Sequence, residues 1–315
     1  MQYRRLGKAG VQVSVIGLGT NRFGSEVVSQ DQVNNIIDAA LDVGINFIDT
    51  ADAYTKGDSE RTLGVALKGR WDKVVLATKF YFPTGEGPND KGNSRHHILN
   101  AVEASLQRLD SDHIDLYYVH RWDAETPIEE TLRALDDLIR QGKVRYLGAS
   151  NFASWQLAHS NLLAEISGWT QFVALQSHYH LLERDVEREV RPYCDQFEVG
   201  FIPYFPLAGG FLTGKYKRRE QAPVGSRGES SPYVQKYMTD SSYDIVENLE
   251  VWAKDHDRNL YELAEAWLMA QPSVCSVISG ATKVEHVFSN AKAADWSLSE
   301  SDLEEIEAII TPEKK

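Results

Sequence analysis

The chain is predicted to fold as one α/β domain, a (β/α)8 TIM barrel with an N-terminal β-hairpin and an additional C-terminal helix. Three observations carry this expectation. Eight short β-branched runs recur along the 315 residues, most of them about 25 to 36 residues apart, room for one helix and two loops. The segments between them repeat apolar residues at helical spacing and open on helix start signals. No linker or low-complexity tract interrupts the alternation, so one barrel domain is expected over residues 1–315. An open doubly wound sheet is the rival arrangement.

The elements follow in order. Gln2–Leu6 and Val11–Val13, around Gly7–Gly10, read as a hairpin closing the barrel's bottom. The candidate strands are Val15–Leu18, Asn46–Asp49, Val74–Thr78, Ile114–Val119, Val144–Gly148, Phe172–Gln176, Gly200–Tyr204 and Ser276–Ser279. Ser29 and Gln32 form a capping box before the apolar face Val33, Ile36, Ile37, Ala40 and Leu41. Thr126 and Glu129 suggest another, with Pro127 at the first helical position. Asn93-Ser94 opens a third helix, and Gly44 and Gly142 sit where helices should end. Lys215–Tyr243 is rich in Gly, Pro, Ser and charge without clear periodicity, as functional loops often are. Ser301–Ile310 reads as the added helix.

Composition narrows the function. The net charge is −13, and no basic block stands out, so nucleic acid is not an expected partner. An anionic ligand needs a local basic patch against this field. No apolar run approaches the ~20 residues of a membrane span. Residues 1–7 lead into no signal core, so a soluble cytoplasmic protein without a membrane partner is expected, with homo-oligomers open to it. Cys194 and Cys275 are too far apart for a Cys-x-x-Cys site and read as reduced, buried thiols.

Barrel active sites lie at the C-terminal ends of the strands. Asp49 and Tyr54 follow the second strand, Lys79 the third and His120 the fourth. Their chemistry is coherent. A tyrosine with a reference pKa of ~10 is a poor proton donor to a developing alkoxide unless its anion is stabilised. A lysine ammonium about 4 Å away supplies up to roughly 4 kcal/mol at an effective dielectric near 20. That is on the order of three pKa units before desolvation is counted. Asp49 can keep the lysine charged, and a neutral histidine can orient a carbonyl oxygen. The hydride must then come from a cofactor.

These residues also carry a resemblance. Gly44–Tyr54, Lys79, Asp115–His120 and Gly142–Asn151 resemble the aldo-keto reductase family over essentially the whole chain, in particular the bacterial branch with a long strand-seven loop, related to channel β-subunit-like members. The resemblance implies NADPH-dependent reduction of a small-molecule aldehyde or ketone, with NADH the lesser cofactor and no metal. It matches Asp49, Tyr54, Lys79 and His120 to the family's catalytic residues, with Tyr54 the general acid. The cofactor positions it implies begin with Gly19, Thr20, Asn21 and Asp49. Ser150, Asn151 and Gln176 match the carboxamide hydrogen-bonders, and Tyr204 the aromatic stacked on nicotinamide. Phe205, Pro206, Leu207, Ala208, Gly209, Lys215 and Arg227 match the pyrophosphate loop. Gly280, Thr282, Lys283, His286 and Asn290 match the adenosine-phosphate site. His286 stands where relatives often have glutamine, and Ser289 where many have glutamate. Lys215, Arg227 and Lys283 favour the 2′-phosphate of NADPH. Substrate walls are expected from Asn21, Tyr54, Tyr81, Phe82, His120, Trp122 and His178.

Three rivals are weighed against this. A Rossmann dehydrogenase needs a third glycine after Gly17-Leu18-Gly19, and position 22 is Arg22. A metal-dependent hydrolase could use His178 and His180 with His120 and Asp49, but Lys79 at the centre would repel the metal. A cofactor-binding regulatory β-subunit-like protein suits the long loop, while the intact set with His120 favours turnover.

Overall fold

Eight parallel strands close on themselves in the computed structural model, which describes residues 1–311; the last four positions of the expected domain lie outside the described residues. The strands are β1 (Ile16–Gly19), β2 (Phe47–Asp49), β3 (Val75–Phe80), β4 (Ile114–Val119), β5 (Val144–Ser150), β6 (Phe172–His178), β7 (Gly200–Tyr204) and β8 (Val277–Gly280). Each pairs with the next, and β8 returns to β1 in the register Val277↔Ile16 through Gly280↔Gly19. That closure leaves no edges and removes the open-sheet alternative.

Two apolar layers hold the barrel. One lies between strands and helices, with Ile16, Leu76, Tyr117, Leu147 and Leu175 among its strand residues. The other fills the barrel's interior with Phe47, Val75, Leu116, Tyr118, Ala174 and Ile202. Leu6, Ala9 and Val13 of the hairpin belong to this inner cluster and plug the floor. The hairpin pairs Tyr3–Arg5 with Gln12–Ser14. Burial on both faces explains why β2, β3 and β4 are buried throughout rather than alternating.

Several boundaries move from the sequence expectation, for physical reasons. β2 starts after Asn46, whose carboxamide accepts from the Ser14 N–H at 2.7 Å and donates to the Gln12 carbonyl at 3.1 Å, tying it to the hairpin. β3, β5 and β6 run two residues further than expected. Their polar ends stay in the ladder as Lys79↔Tyr118, Ser150↔Gln176 and His178↔Tyr204. The Thr126 capping box is not made. Thr126 donates instead to Asp123 at 2.7 Å, extended Pro127 precedes the helix, and Ile128–Arg140 is the helix itself. The Ser29 N–H does donate to Gln32 Oε1 at 2.8 Å, and Ser94 Oγ accepts from the His97 N–H at 3.2 Å.

The Lys215–Tyr243 segment is not wholly loop. It contains two single turns, Arg227–Ser230 and Pro232–Gln235, and the first residues of the helix Asp240–Asp255. Thr239 caps that helix by accepting from the Ser242 N–H. Glu300–Ile310 forms the added helix, held to it by the Trp252 indole donating to Glu305 at 2.8 Å. Among the described residues, no helix is long and apolar enough to cross a membrane.

Gly7 sets the hairpin against the barrel floor. Its φ is +57°, and a Cβ there would lie 2.5 Å from both the Gly200 nitrogen and the Val173 carbonyl oxygen. These are backbone atoms that cannot swing aside. Gly7→Ala is expected to destabilise the fold by about 2–4 kcal/mol, the sum of left-handed strain and clash. Denaturant titration should show a lower midpoint, and an unchanged midpoint would mean that the hairpin detaches from the floor without cost.

Candidate active site

The centre of the barrel's C-terminal mouth is a buried ion pair. Lys79 points inward from β3 with no exposed surface, and its Nζ donates to Asp49 Oδ1 at 2.5 Å and to the Thr50 carbonyl at 2.8 Å. Asp49 ends β2, and its other oxygen accepts from Gln176 Nε2 at 2.8 Å, across the barrel from β6. Thr20 holds the backbone beneath: its N–H and its hydroxyl both donate to the Asp49 carbonyl. Burying two charges is costly unless they pair and their remaining sites are satisfied, and these contacts do both.

Tyr54 comes from the turn after β2, where Thr55 and Lys56 are left-handed (φ +48° and +57°). Its hydroxyl is 3.5 Å from Lys79 Nζ, which also lies 5.1 Å from the ring centroid. His120 follows β4, and its ring stands edge-on to Tyr54 at 6.1 Å. The structure therefore brings Asp49, Tyr54, Lys79 and His120 into one cluster.

The electrostatics correct one expectation. Burial alone would lower the Lys79 pKa, but Asp49 and Tyr54 outweigh it and hold the ammonium above its ordinary value. Tyr54 is not lowered. Burial pushes its phenol up, Lys79 pulls it down, and Asp49 pushes it up again, with a net rise. Burial is the main reason, and Lys79 cannot reverse it because a carboxylate at contact distance matches its charge, so Tyr54 feels a dipole rather than a free charge. His120 is held down to about 2 by burial, then by Lys79 and Arg121, so its imidazole is neutral. Its Nδ1 is buried and without a partner among the described residues.

The surrounding residues converge on this cluster to different degrees. Asn151, left-handed at φ +57°, donates to the Ser150 hydroxyl at 2.9 Å and to the His120 carbonyl at 3.3 Å, and accepts from the Tyr204 hydroxyl at 2.9 Å. His178 lies parallel to Tyr204 at 5.3 Å. Phe82 packs edge-on to His120 at 4.8 Å and to Tyr81 at 5.3 Å. Trp122 packs instead against Phe152 and Trp155. His180 is engaged at both nitrogens, with the Tyr237 hydroxyl at 3.1 Å and the Leu182 N–H at 3.2 Å, which leaves it unsuited as a metal ligand. Asn21 is exposed at the rim, while the Thr20 side chain faces inward onto Ser59.

Around the rim, Phe205 and Ala208 take left-handed conformations, with Pro206 and Leu207 between them. Gly209 and Gly210 continue the turn, and a Cβ on Gly210 would meet Lys215 Nζ at 2.7 Å. Arg227 lies 6.0 Å over the Phe205 ring. Gly19 and Gly280 are register partners at the mouth; a Cβ on Gly19 would meet the Ile278 side chain at 2.8 Å, whereas one on Gly280 would meet nothing closer than the Gly19 carbonyl oxygen at 3.9 Å. Lys283 precedes the helix Val284–Ala293, Thr282 donates its N–H to His286 Nδ1 at 3.3 Å, and Asn290 is buried. Burial lowers the His286 pKa, with Lys283 and Lys215 adding to it against Glu285.

One buried group was missed in the sequence. Asp52 is 2% exposed, and both its oxygens lack hydrogen-bond partners among the described residues. Beside it, Glu60 accepts from Arg108 and from the Thr78 hydroxyl, both at 2.6 Å. The two acids of Asp49-Thr50-Ala51-Asp52 were legible as a pair, but not that the second lies in the core.

The comparisons with known proteins agree with this geometry. The family model for the aldo/keto reductase family matches residues 15–311. An aldo-keto reductase of Fusarium vanettenii is 36% identical, with 99% of this chain and 92% of the relative covered. A probable voltage-gated potassium channel subunit beta of Oryza sativa subsp. japonica is 35% identical over 100% of this chain and 98% of its own. Versiconal hemiacetal acetate reductase of Aspergillus parasiticus is 34% identical over 90% of both. Fold and site together define an oxidoreductase built on a parallel barrel. The chain belongs to the aldo/keto reductase family.

Asp52 gives a pH test. Burial and then Glu60 push its pKa from 3.8 to about 8, against Arg108, the Ala53 N–H and Lys79. Between these values the folded state binds more protons than the unfolded chain, so this group's contribution is full in acid and is lost as pH rises toward 8. Asp52→Asn removes the titration. From about pH 5 to 8 the wild type should lose stability faster than the variant, by up to about 1 kcal/mol per pH unit. Parallel denaturation profiles would mean that Asp52 is ionised in the fold.

Proposed function

We propose that this oxidoreductase reduces an aldehyde or ketone to an alcohol with NADPH, NADH being the weaker cofactor, and that Tyr54 is the general acid. The observation that supports it most is the Tyr54 hydroxyl beside a buried, compensated ammonium, with a neutral imidazole on the same cluster. The mouth suits such a cofactor. Lys215, Arg227 and Lys283 have no carboxylate within ion-pair distance among the described residues, although the chain carries 46 acids. Gly280 leaves its backbone uncovered at the mouth. When bound, the nicotinamide supplies the hydride.

The chain's own residues do the rest. His120, uncharged, orients the carbonyl oxygen rather than protonating it. Tyr54, with its raised pKa, holds its proton in the resting site. As negative charge develops on the carbonyl oxygen, Tyr54 passes that proton across, and Lys79 stabilises the resulting phenolate. Asp49 keeps Lys79 charged, and Gln176 keeps Asp49 oriented. Asn151 links Tyr204 to the His120 backbone, fixing the aromatic floor relative to the imidazole. Residues 1–315 then form one catalytic domain, working in the cytoplasm on a small-molecule carbonyl without nucleic acid, membrane or metal. A regulatory role is the second reading, favoured by the resemblance to the rice channel subunit. A panel of aldehydes assayed by NADPH oxidation separates the two: turnover supports the reductase, and cofactor binding without turnover supports the regulator.

Two variants probe the assignments. Tyr54→Phe should keep cofactor affinity and lose about 10²–10⁴-fold in turnover, since the ring remains and the proton is gone. A rate within about threefold of wild type would assign the acid elsewhere. Lys283→Ala should remove a charge-assisted hydrogen bond of about 1.5–3 kcal/mol and weaken NADPH by roughly ten- to a hundredfold. NADH should be nearly unaffected, as read by quenching of tryptophan fluorescence. Equal loss for both cofactors would move Lys283 to the pyrophosphate.

A further inference from the structure

Arg121 is a cation at the catalytic rim that nothing so far explains. It follows His120 directly at the end of β4 and is exposed. Its backbone is pinned: the buried Asn93 donates its side-chain N–H to the Arg121 carbonyl at 2.9 Å, and the Asn93 N–H donates to Asp123 at 3.0 Å. Its guanidinium lies 5.8 Å over the Phe82 ring, and Phe82 packs at 4.8 Å against His120. The Phe82 ring thus contacts both the guanidinium and the imidazole. Beyond the dominant effect of burial, the Arg121 charge also pulls the pKa of His120 and of Tyr204 down.

Half of the chain's 18 arginines have an acidic partner among the described residues, and Arg121 belongs to the other half. Nine other arginines, at positions 61, 70, 95, 108, 140, 145, 184, 191 and 218, each have a carboxylate within 4.0 Å. Arg121 has none among the described residues, and its guanidinium makes no hydrogen bond to them. In a protein of net charge −13, such a site is the local basic patch that an anion would need. A planar fork beside an aromatic wall suits bidentate recognition of a carboxylate.

We propose that Arg121 is a specificity residue that binds a carboxylate on the substrate, so that the preferred substrate class is an aromatic or chain-extended oxo acid. This rests on the reductase reading of the same site. The carbonyl oxygen would sit between Tyr54 and His120, the substrate's body against Phe82, and the carboxylate on the guanidinium. The selectivity would be electrostatic and would fall with salt.

The test compares 4-carboxybenzaldehyde with its methyl ester, which differ in charge and little in shape. Wild-type protein should favour the acid over the ester in kcat/KM by about tenfold or more, mainly through KM, and the ratio should fall as ionic strength rises. In Arg121→Gln the ratio should drop by about ten- to a hundredfold, as expected for loss of a charge-assisted pair. Arg121→Lys should give an intermediate ratio, because it keeps charge and loses the fork. A wild-type ratio at or below one, or a ratio unchanged in Arg121→Gln, would overturn the proposal while leaving the reductase reading intact. If no aldehyde is reduced at all, the reductase reading fails instead. Calorimetric binding of terephthalate to wild type and Arg121→Gln then decides on Arg121: weaker binding to the variant supports the carboxylate site, and equal or absent binding refutes it. Should Arg121→Gln not fold, the wild-type acid-to-ester ratio and its salt dependence decide alone.

Discussion

The buried pair between Lys79 and Asp49 is the constraint around which the mouth is built. Neither charge can be desolvated alone, and removing one partner of such a pair typically costs about 3–5 kcal/mol. Further partners are supplied to the pair, the Thr50 carbonyl to Lys79 and the Gln176 amide of β6 to Asp49, while Thr20, just after β1, holds the Asp49 backbone. The ion pair thus ties together strands that are distant in sequence. It also shapes the electrostatics of its neighbours. Burial is the larger influence on both Tyr54 and His120, and the pair adds to it: Asp49 offsets the pull of Lys79 on the Tyr54 phenol, and the Lys79 cation further disfavours a charged His120. A proton donor and an uncharged orienting group follow from burial and this one interaction together.

The barrel divides into an apolar end and a polar end for the same reason. At the floor, Leu6, Ala9 and Val13 close the interior and need no partners. Higher up, the inward positions become Lys79, Ser150, Gln176 and His178, and the strands lengthen to keep those residues in the ladder. A hydrogen-bonded strand holds a side chain more rigidly than a loop does, which suits a site that must keep its geometry to a fraction of an ångström. The turn after β2 and the turn after β7 supply the exceptions, where left-handed residues bend the chain back over the mouth.

Nine of the 18 arginines of this acidic chain have a carboxylate within ion-pair distance, and Lys215, Arg227, Lys283 and Arg121 around the mouth are among the cations that have none among the described residues. A positive rim on a negative body focuses anionic ligands onto the site and discourages them elsewhere. Such a rim can serve an anionic cofactor on one side and an anionic substrate on the other.

What the residues determined by themselves was periodic or contiguous. Eight β-branched runs at regular spacing specified a closed parallel barrel, and Asp49, Tyr54, Lys79 and His120 were legible because each stands at or just after a strand's C-terminal end. The glycine stops at Gly44 and Gly142 and the serine starts at Ser29 and Ser94 were local and held. Only the tertiary structure decided what depends on distant neighbours. Thr126 was drawn from its cap by Asp123, and part of the irregular segment before Tyr243 became helix once Thr239 capped it. Whether Lys79 would lower the Tyr54 pKa depended on how closely Asp49 neutralised it, and whether Asp52 was solvated or buried depended on Glu60, Arg108 and Thr78 packing around it. The spacing of a motif carries the identity of its groups. Their charge states come from burial and from partners tens of residues away, which only the closed barrel brings into contact.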